Sequence, residues 1–123
     1  MKRRVLIVDD ERVIREVQAE YLQGLGYEVV VAESGVQALH ILNGPQAGFE
    51  VAVVDWQMAG VNGRAVFDLI RARFPETQVV ISTGRTSAEL SEQTVFRMGG
   101  SLLRKPFSLK TLGIEVDRQL SRN

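Results

Sequence analysis

Three aspartates, a threonine and a lysine stand where apolar runs stop. Arg4-Val-Leu-Ile-Val8 runs into Asp9 and Asp10, and Val51-Ala-Val-Val54 runs into Asp55. Gln78-Val-Val-Ile-Ser82 runs into Thr83 and Gly84, and Ser101-Leu-Leu103 is followed by Arg104, Lys105 and Pro106. Carboxylates gathered without cysteine or histidine make a hard-oxygen site. Such a site suits Mg²⁺ or Mn²⁺, completed by waters and a phosphate, and does not suit zinc. Three negative charges held together raise one another's pKa values, and a divalent cation offsets the repulsion. The cation and Lys105 would neutralise phosphoryl oxygens, and the Thr83 hydroxyl would hydrogen-bond one of them. A carboxylate could then attack in line, because phosphoryl transfer depends mainly on positioning and charge stabilisation. The product would be an aspartyl phosphate. Asp55 is the candidate nucleophile, since it ends the central strand and can face the open side.

The rest of the chain supplies the elements that bring these residues together. Short apolar runs bounded by polar or turn residues predict buried strands at Arg4–Val8, Glu28–Ala32, Val51–Asp55, Gln78–Ser82 and Ser101–Leu103. Between them lie helical patterns. Val13, Val17, Tyr21 and Leu25, with Ile14 and Leu22 alongside, predict an apolar stripe on a helix from Glu11 to Gly24. Ser34 and Gln37 have capping-box spacing before Ala38, Leu39 and Leu42, and Gly44-Pro45 ends that helix. Phe67, Ile70 and Phe74 mark a third helix, closed by Pro75. A second capping box, Thr86 to Glu89, opens a fourth helix to about Met98. Ser108 caps a fifth, carried by Leu109, Leu112, Val116 and Leu120.

Five strands alternating with five helices predict an α/β domain with a parallel sheet covered on both faces. Right-handed crossovers restrict the strand orders. The flavodoxin-like (βα)5 order 2-1-3-4-5 makes strands 1 and 3 neighbours at the switch point. Asp9 and Asp10 then lie beside Asp55, and Thr83 and Lys105 open on the same edge.

Composition narrows the function classes. A chain of 123 residues with 45% apolar content suits one compact domain spanning 1–123. Lysine plus arginine and aspartate plus glutamate number 15 each, so the formal charge is zero and direct nucleic-acid binding is disfavoured. The absence of cysteine removes disulfides and thiolate metal sites. The basic start is followed by too short an apolar run for a signal segment, and no stretch suits a bilayer, so a soluble cytoplasmic protein is expected.

Together these motifs carry a resemblance. Asp9-Asp10, Asp55 with Met58 three residues on and Gly63 eight on, Thr83-Gly84, and Lys105-Pro106-Phe107 resemble the receiver domain of two-component response regulators. The match runs from the first strand to the last helix, and the four motifs in this order are highly specific. The resemblance implies that Asp55 takes a phosphoryl group from a sensor histidine kinase or a histidine phosphotransfer protein. It implies Mg²⁺ held directly by Asp10, Asp55 and the Gln57 carbonyl, with Asp9 acting through water. Lys105 would pair with Asp55 and then with the phosphoryl group. Thr83 would swing toward the phosphoryl oxygen and move the loop after strand 4, and Lys105–Pro106 would be a cis peptide that aims the lysine. Gln57 and Arg85 match variable positions flanking the phosphoryl group. The face of helix 4, strand 5 and helix 5 would contact a downstream protein target or a second copy in a homodimer. Beyond self-phosphorylation and autodephosphorylation the domain would not be an enzyme.

Two residues depart from the family pattern. Ala59 replaces the usual proline in the Asp55 loop, and Leu102 stands where the family usually has an aromatic switch residue that flips as the threonine moves. Taken singly, the motif residues have blander uses: Asp9-Asp10 as a helix cap, Thr83 as a loop hydroxyl, Lys105 as a surface charge. His40 is read as a partly exposed helix residue without chemistry. A metal-dependent phosphohydrolase would commonly carry a second acid at position 57, which is glutamine. A flavin-binding protein would not place two acids after strand 1, where they would repel a phosphate. A receiver of a hybrid sensor kinase, and an interaction module independent of phosphate, fit the same motifs.

Overall fold

The computed structural model describes residues 3–45, 47–58, 60–84 and 90–121. In chain order the elements are β1 (Arg4–Val8), α1 (Arg12–Gly24), β2 (Glu28–Ala32), α2 (Gly35–Leu42), β3 (Val51–Asp55), α3 (Gly63–Arg73), β4 (Gln78–Thr83), α4 (Glu92–Arg97), β5 (Gly100–Arg104) and α5 (Leu109–Leu120). The strands form one parallel sheet in the order β2-β1-β3-β4-β5. The predicted flavodoxin-like order is therefore the observed one. β4 and β5 are longer than their apolar runs suggest, because Thr83 and Arg104 still pair with one another in the ladder.

Alternate residues along each strand feed two separate cores, as a pleated strand requires. Val5, Ile7, Val51, Val53, Val80 and Leu103 pack with Ala19 and Leu22 of α1 and Leu112, Val116 and Leu120 of α5. Leu6, Val8, Ala52, Val54, Val79 and Ile81 pack on the other face with α2, α3 and Val95 of α4. The fully enclosed aliphatic side chains contribute about 1.5–3 kcal/mol each relative to exposure. Both faces being covered explains why the strands read as continuous apolar runs rather than as alternation.

The predicted stripe on α1 is corrected. Its buried residues are Gln18, Ala19 and Leu22, whereas Val13 is 72% exposed, Val17 44% and Leu25 52%. Steps of four residues overshoot a 3.6-residue turn by about 40° each, so a row that long winds away from the sheet. α4 is corrected as well. Ser91 has extended backbone and is the N-cap, its hydroxyl accepting from Thr94 N–H, so the helix starts at Glu92. The Thr86–Glu89 box and Arg85 lie outside the described residues, as does Ala59.

The other caps behave as their residue types dictate. Ser34, Asn62 and Ser108 accept from the backbone N–H groups of Gln37, Ala65 and Thr111 at 3.1, 3.1 and 3.0 Å. The Gln37 side chain closes its box one residue early, accepting from Glu33 N–H rather than from the cap. Gly35, at the start of α2, faces Val61 so closely that a Cβ there would lie 2.2 Å from the Val61 carbonyl oxygen. The loop after β3 is thus pressed against the start of α2. His40 is exposed.

Candidate functional site: an acidic pocket at the C-terminal edge of the sheet

Register builds the site. Val8 pairs with Val54, so Asp9 and Asp55 follow side by side one residue later, at the ends of the neighbouring strands β1 and β3. Asp9 N–H donates to Ala32 O at 3.2 Å and keeps this chain on the sheet for one more residue. Asp9 is buried and Asp10 exposed, as expected where the backbone turns out of the ladder. One carboxylate oxygen from each of Asp9, Asp10 and Asp55 lies within 4.8 Å of the others. Among the described residues this is the cluster able to hold a metal ion.

Lys105 enters from the end of β5. Its Nζ lies 3.4 Å from Asp9 Oδ2 and 3.7 Å from Asp55 Oδ1. Its own N–H donates to Thr83 O at 2.8 Å, so the ends of β4 and β5 hold the lysine at the pocket. The Lys105–Pro106 peptide bond is cis. The Thr83 side chain is fully buried at the end of β4. Gln57 is exposed, and its N–H donates to Asp55 Oδ1 at 3.3 Å. The structure therefore brings together Asp9, Asp10, Asp55 and Lys105, and sets Thr83 at the end of β4 and Gln57 on the loop after β3. Leu102 is not in the pocket. It lies half-buried on β5, paired in register with Ile81.

Two positioning groups escape motif reading. Arg15, in the first turn of α1, reaches back to donate to the Asp9 carbonyl at 2.9 Å. Asp9 Oδ1 in turn accepts from Glu11 N–H at 2.9 Å, so the β1–α1 loop is held on both sides of the acidic pair. An arginine on a helix turn that faces its own preceding loop is the available signal, and it is common enough to pass unnoticed. Trp56 follows Asp55, with its N–H on Ser82 O at 2.8 Å and its ring edge-on to Phe67, centroids 6.1 Å apart.

Electrostatics follow from crowding acids under a lid of protein. The Asp55 carboxyl is pushed up to about 6, above all by burial. The Lys105 ammonium works against this, Asp9 adds to it, the Gln57 N–H opposes it, and Asp10 adds a smaller push. Between its ordinary value near 3.8 and about 6, the folded protein keeps a proton that the unfolded chain has already lost. More protons bound in the folded state means that stability falls as pH rises through that window. Metal-free urea unfolding should show this loss in the native protein, and Asp55→Asn should remove it and be the more stable form at pH 7. Superimposable pH profiles for the two proteins would contradict the assignment.

Comparison with known proteins gives the family. The model of the response regulator receiver domain matches residues 5–117. The chain belongs to the response regulator receiver domain family. Response regulator protein FleR of Pseudomonas aeruginosa is 30% identical over 112 residues, which is 91% of this chain and 23% of FleR. A cyclic di-GMP phosphodiesterase of Thermotoga maritima is 29% identical over 94% of this chain and 30% of its own length. The receiver thus spans less than a third of either relative. A CheY-like receiver domain protein of Methanospirillum hungatei superimposes with a TM-score of 0.90 over 99% of this chain and 96% of its own, and at 23% identity that likeness speaks to the fold. The cluster Asp9, Asp10 and Asp55 fits the magnesium site typical of receiver domains. Among the described residues no helix is long and apolar enough to cross a membrane.

Proposed function

We propose that this receiver accepts a phosphoryl group on Asp55 and that the acquired charge switches its protein contacts. The observation that carries this reading is the convergence of three carboxylate oxygens within 4.8 Å, with one ammonium within 3.4 and 3.7 Å of two of them. Asp10, Asp55 and the Gln57 carbonyl would hold Mg²⁺, with Asp9 acting through water; Mn²⁺ has compatible chemistry. The bound cation supplies charge stabilisation for the incoming phosphoryl oxygens. Lys105 leaves its carboxylate partners and pairs with the same oxygens. The Thr83 hydroxyl swings toward the phosphoryl group and donates to one of its oxygens. Asp55, released from the ammonium, forms the bond to phosphorus while the donor's bond breaks.

The donor is a sensor histidine kinase or a histidine phosphotransfer protein. The output is a protein target, or a second copy, at the face of α4, β5 and α5, where Phe96 is 66% exposed beside Leu102 and Arg118. The domain acts as a switch and not as an enzyme beyond gaining and losing its own phosphoryl group. Its relatives' greater length supports a receiver that serves within a larger regulator or a sensor kinase. A cytoplasmic location follows from the expected donor. Intact mass after treatment with acetyl phosphate tests the reading: one phosphoryl adduct in Mg²⁺ and none in EDTA is the expected pattern.

Leucine at position 102 has no ring to bury and no hydroxyl, so coupling would run through Thr83 and α4 instead. Leu102→Ala should then leave both the phosphoryl adduct and the phosphorylation-dependent shifts of α4 amide resonances in place. Loss of those shifts with the adduct retained would return the switch to residue 102.

A further inference from the structure

β4 reads Gln78-Val-Val-Ile-Ser-Thr83, and its apolar run breaks one residue before the threonine of the motif. Ser82 is only 2% exposed, and its Oγ is a buried atom without a hydrogen-bond partner. A buried hydroxyl left unpaired bears its desolvation cost uncompensated, which alanine or valine would avoid. Such a residue calls for a reason, and its neighbours supply one.

Ser82 pairs in register with Asp55 on β3 and with Leu103 on β5. Residues in register on parallel neighbours project from the same face, about 4.8 Å apart. The hydroxyl therefore stands beside the Asp55 carboxylate, in a layer otherwise made of Val53, Val80 and Leu103. Its backbone is fixed to the site, since Ser82 O accepts from Trp56 N–H at 2.8 Å. In the resting arrangement Asp55 Oδ1 is held by Gln57 N–H and faces Lys105, 3.7 Å away.

We infer that Ser82 is a positioning residue for phosphoryl transfer, its hydroxyl turning to donate to the Asp55 carboxylate when Lys105 moves to the phosphoryl group. The inference rests on the reading of Asp55 as phosphoacceptor. In the step, one Asp55 oxygen forms a bond to phosphorus. The bond from phosphorus to the donor oxygen breaks, and its electron pair leaves with acetate when acetyl phosphate is the donor. The other Asp55 oxygen becomes the carbonyl oxygen of the acyl phosphate. Ser82 keeps its proton throughout. Its hydrogen bond restores the orientation that the departing ammonium no longer supplies.

The experiment compares Ser82→Ala, Ser82→Val and Ser82→Thr in acetyl phosphate saturation kinetics, with Mg²⁺ affinity read from Trp56 fluorescence and thermal midpoints alongside. Alanine and valine should lower the maximal rate about fivefold, leave half-saturation and Mg²⁺ affinity unchanged, and melt no lower than the native protein. Threonine, which keeps the hydroxyl and suits a strand, should restore most of the rate. Native rates in the alanine and valine variants would overturn the inference. So would an equal loss in all three, or a loss accompanied by weaker Mg²⁺ binding and lower melting, since packing would then account for it. If the native protein itself binds Mg²⁺ but takes no phosphoryl group, the phosphoacceptor reading fails, and that result is distinct from a failure at Ser82.

Discussion

Replacing Asp55 with asparagine should lower phosphorylation by acetyl phosphate by at least about a thousandfold, because it removes the nucleophile and not merely a supporting charge. Asparagine has nearly the same shape, and residue 55 is 4% exposed at the end of a fully buried strand, so the fold should persist. The same change takes one of three negative charges from the cluster and should weaken Mg²⁺ binding, read as a smaller Trp56 response. Asp9→Asn and Asp10→Asn should also weaken Mg²⁺ binding yet leave a measurable adduct at saturating metal. An asparagine variant at position 55 that phosphorylates at the native rate would move the chemistry to another residue.

The second large effect belongs to a residue without chemistry. A Cβ on Gly63 would lie 2.5 Å from the Asp55 carbonyl oxygen and 2.7 Å from Trp56 Cα. Both are backbone atoms of the strand end and its loop, so no side chain can turn aside. Gly63 N–H also donates to Trp56 O at 3.3 Å, which clamps the start of α3 onto the residue after Asp55. Gly63→Ala must therefore push the helix away from the site. Overpacking of this kind costs about 1–3 kcal/mol, and Mg²⁺ affinity should fall with it because the Asp55 and Gln57 backbone shifts. Gly24 is the matching control. Nothing lies within 4 Å of a Cβ there, and it closes a helix, so Gly24→Ala should be neutral or slightly stabilising. Denaturant unfolding of the two variants tests this: a Gly63→Ala protein as stable as Gly24→Ala would contradict the close approach.

Much of the site was legible because its residues interrupt patterns. Asp9, Asp55 and Lys105 each end or follow an apolar strand, and a parallel order with strands 1 and 3 adjacent leaves few other places for them. Element order and the caps at Ser34 and Ser108 were readable for the same reason, since they sit where periodicity changes. The face of α1 was not. Sequence spacing cannot say which side of a helix meets the sheet when Gln18 is buried and Val13 exposed. The start of α4 is hidden in the sequence because six residues with one buried side chain, Val95, carry almost no periodic signal. The hold of Arg15 on the Asp9 carbonyl, and the unpartnered Ser82 hydroxyl, depend on reach and register that only three dimensions supply.

Trapping the phosphoryl group where it lands tests the central claim most directly. The protein is treated with acetyl phosphate and Mg²⁺, reduced with borohydride, which converts an aspartyl phosphate to homoserine, and mapped by peptide mass spectrometry. Homoserine at position 55, absent when EDTA replaces Mg²⁺, is the predicted result. Homoserine at position 9 or 10, or a phosphoryl adduct that borohydride leaves untouched, would contradict it.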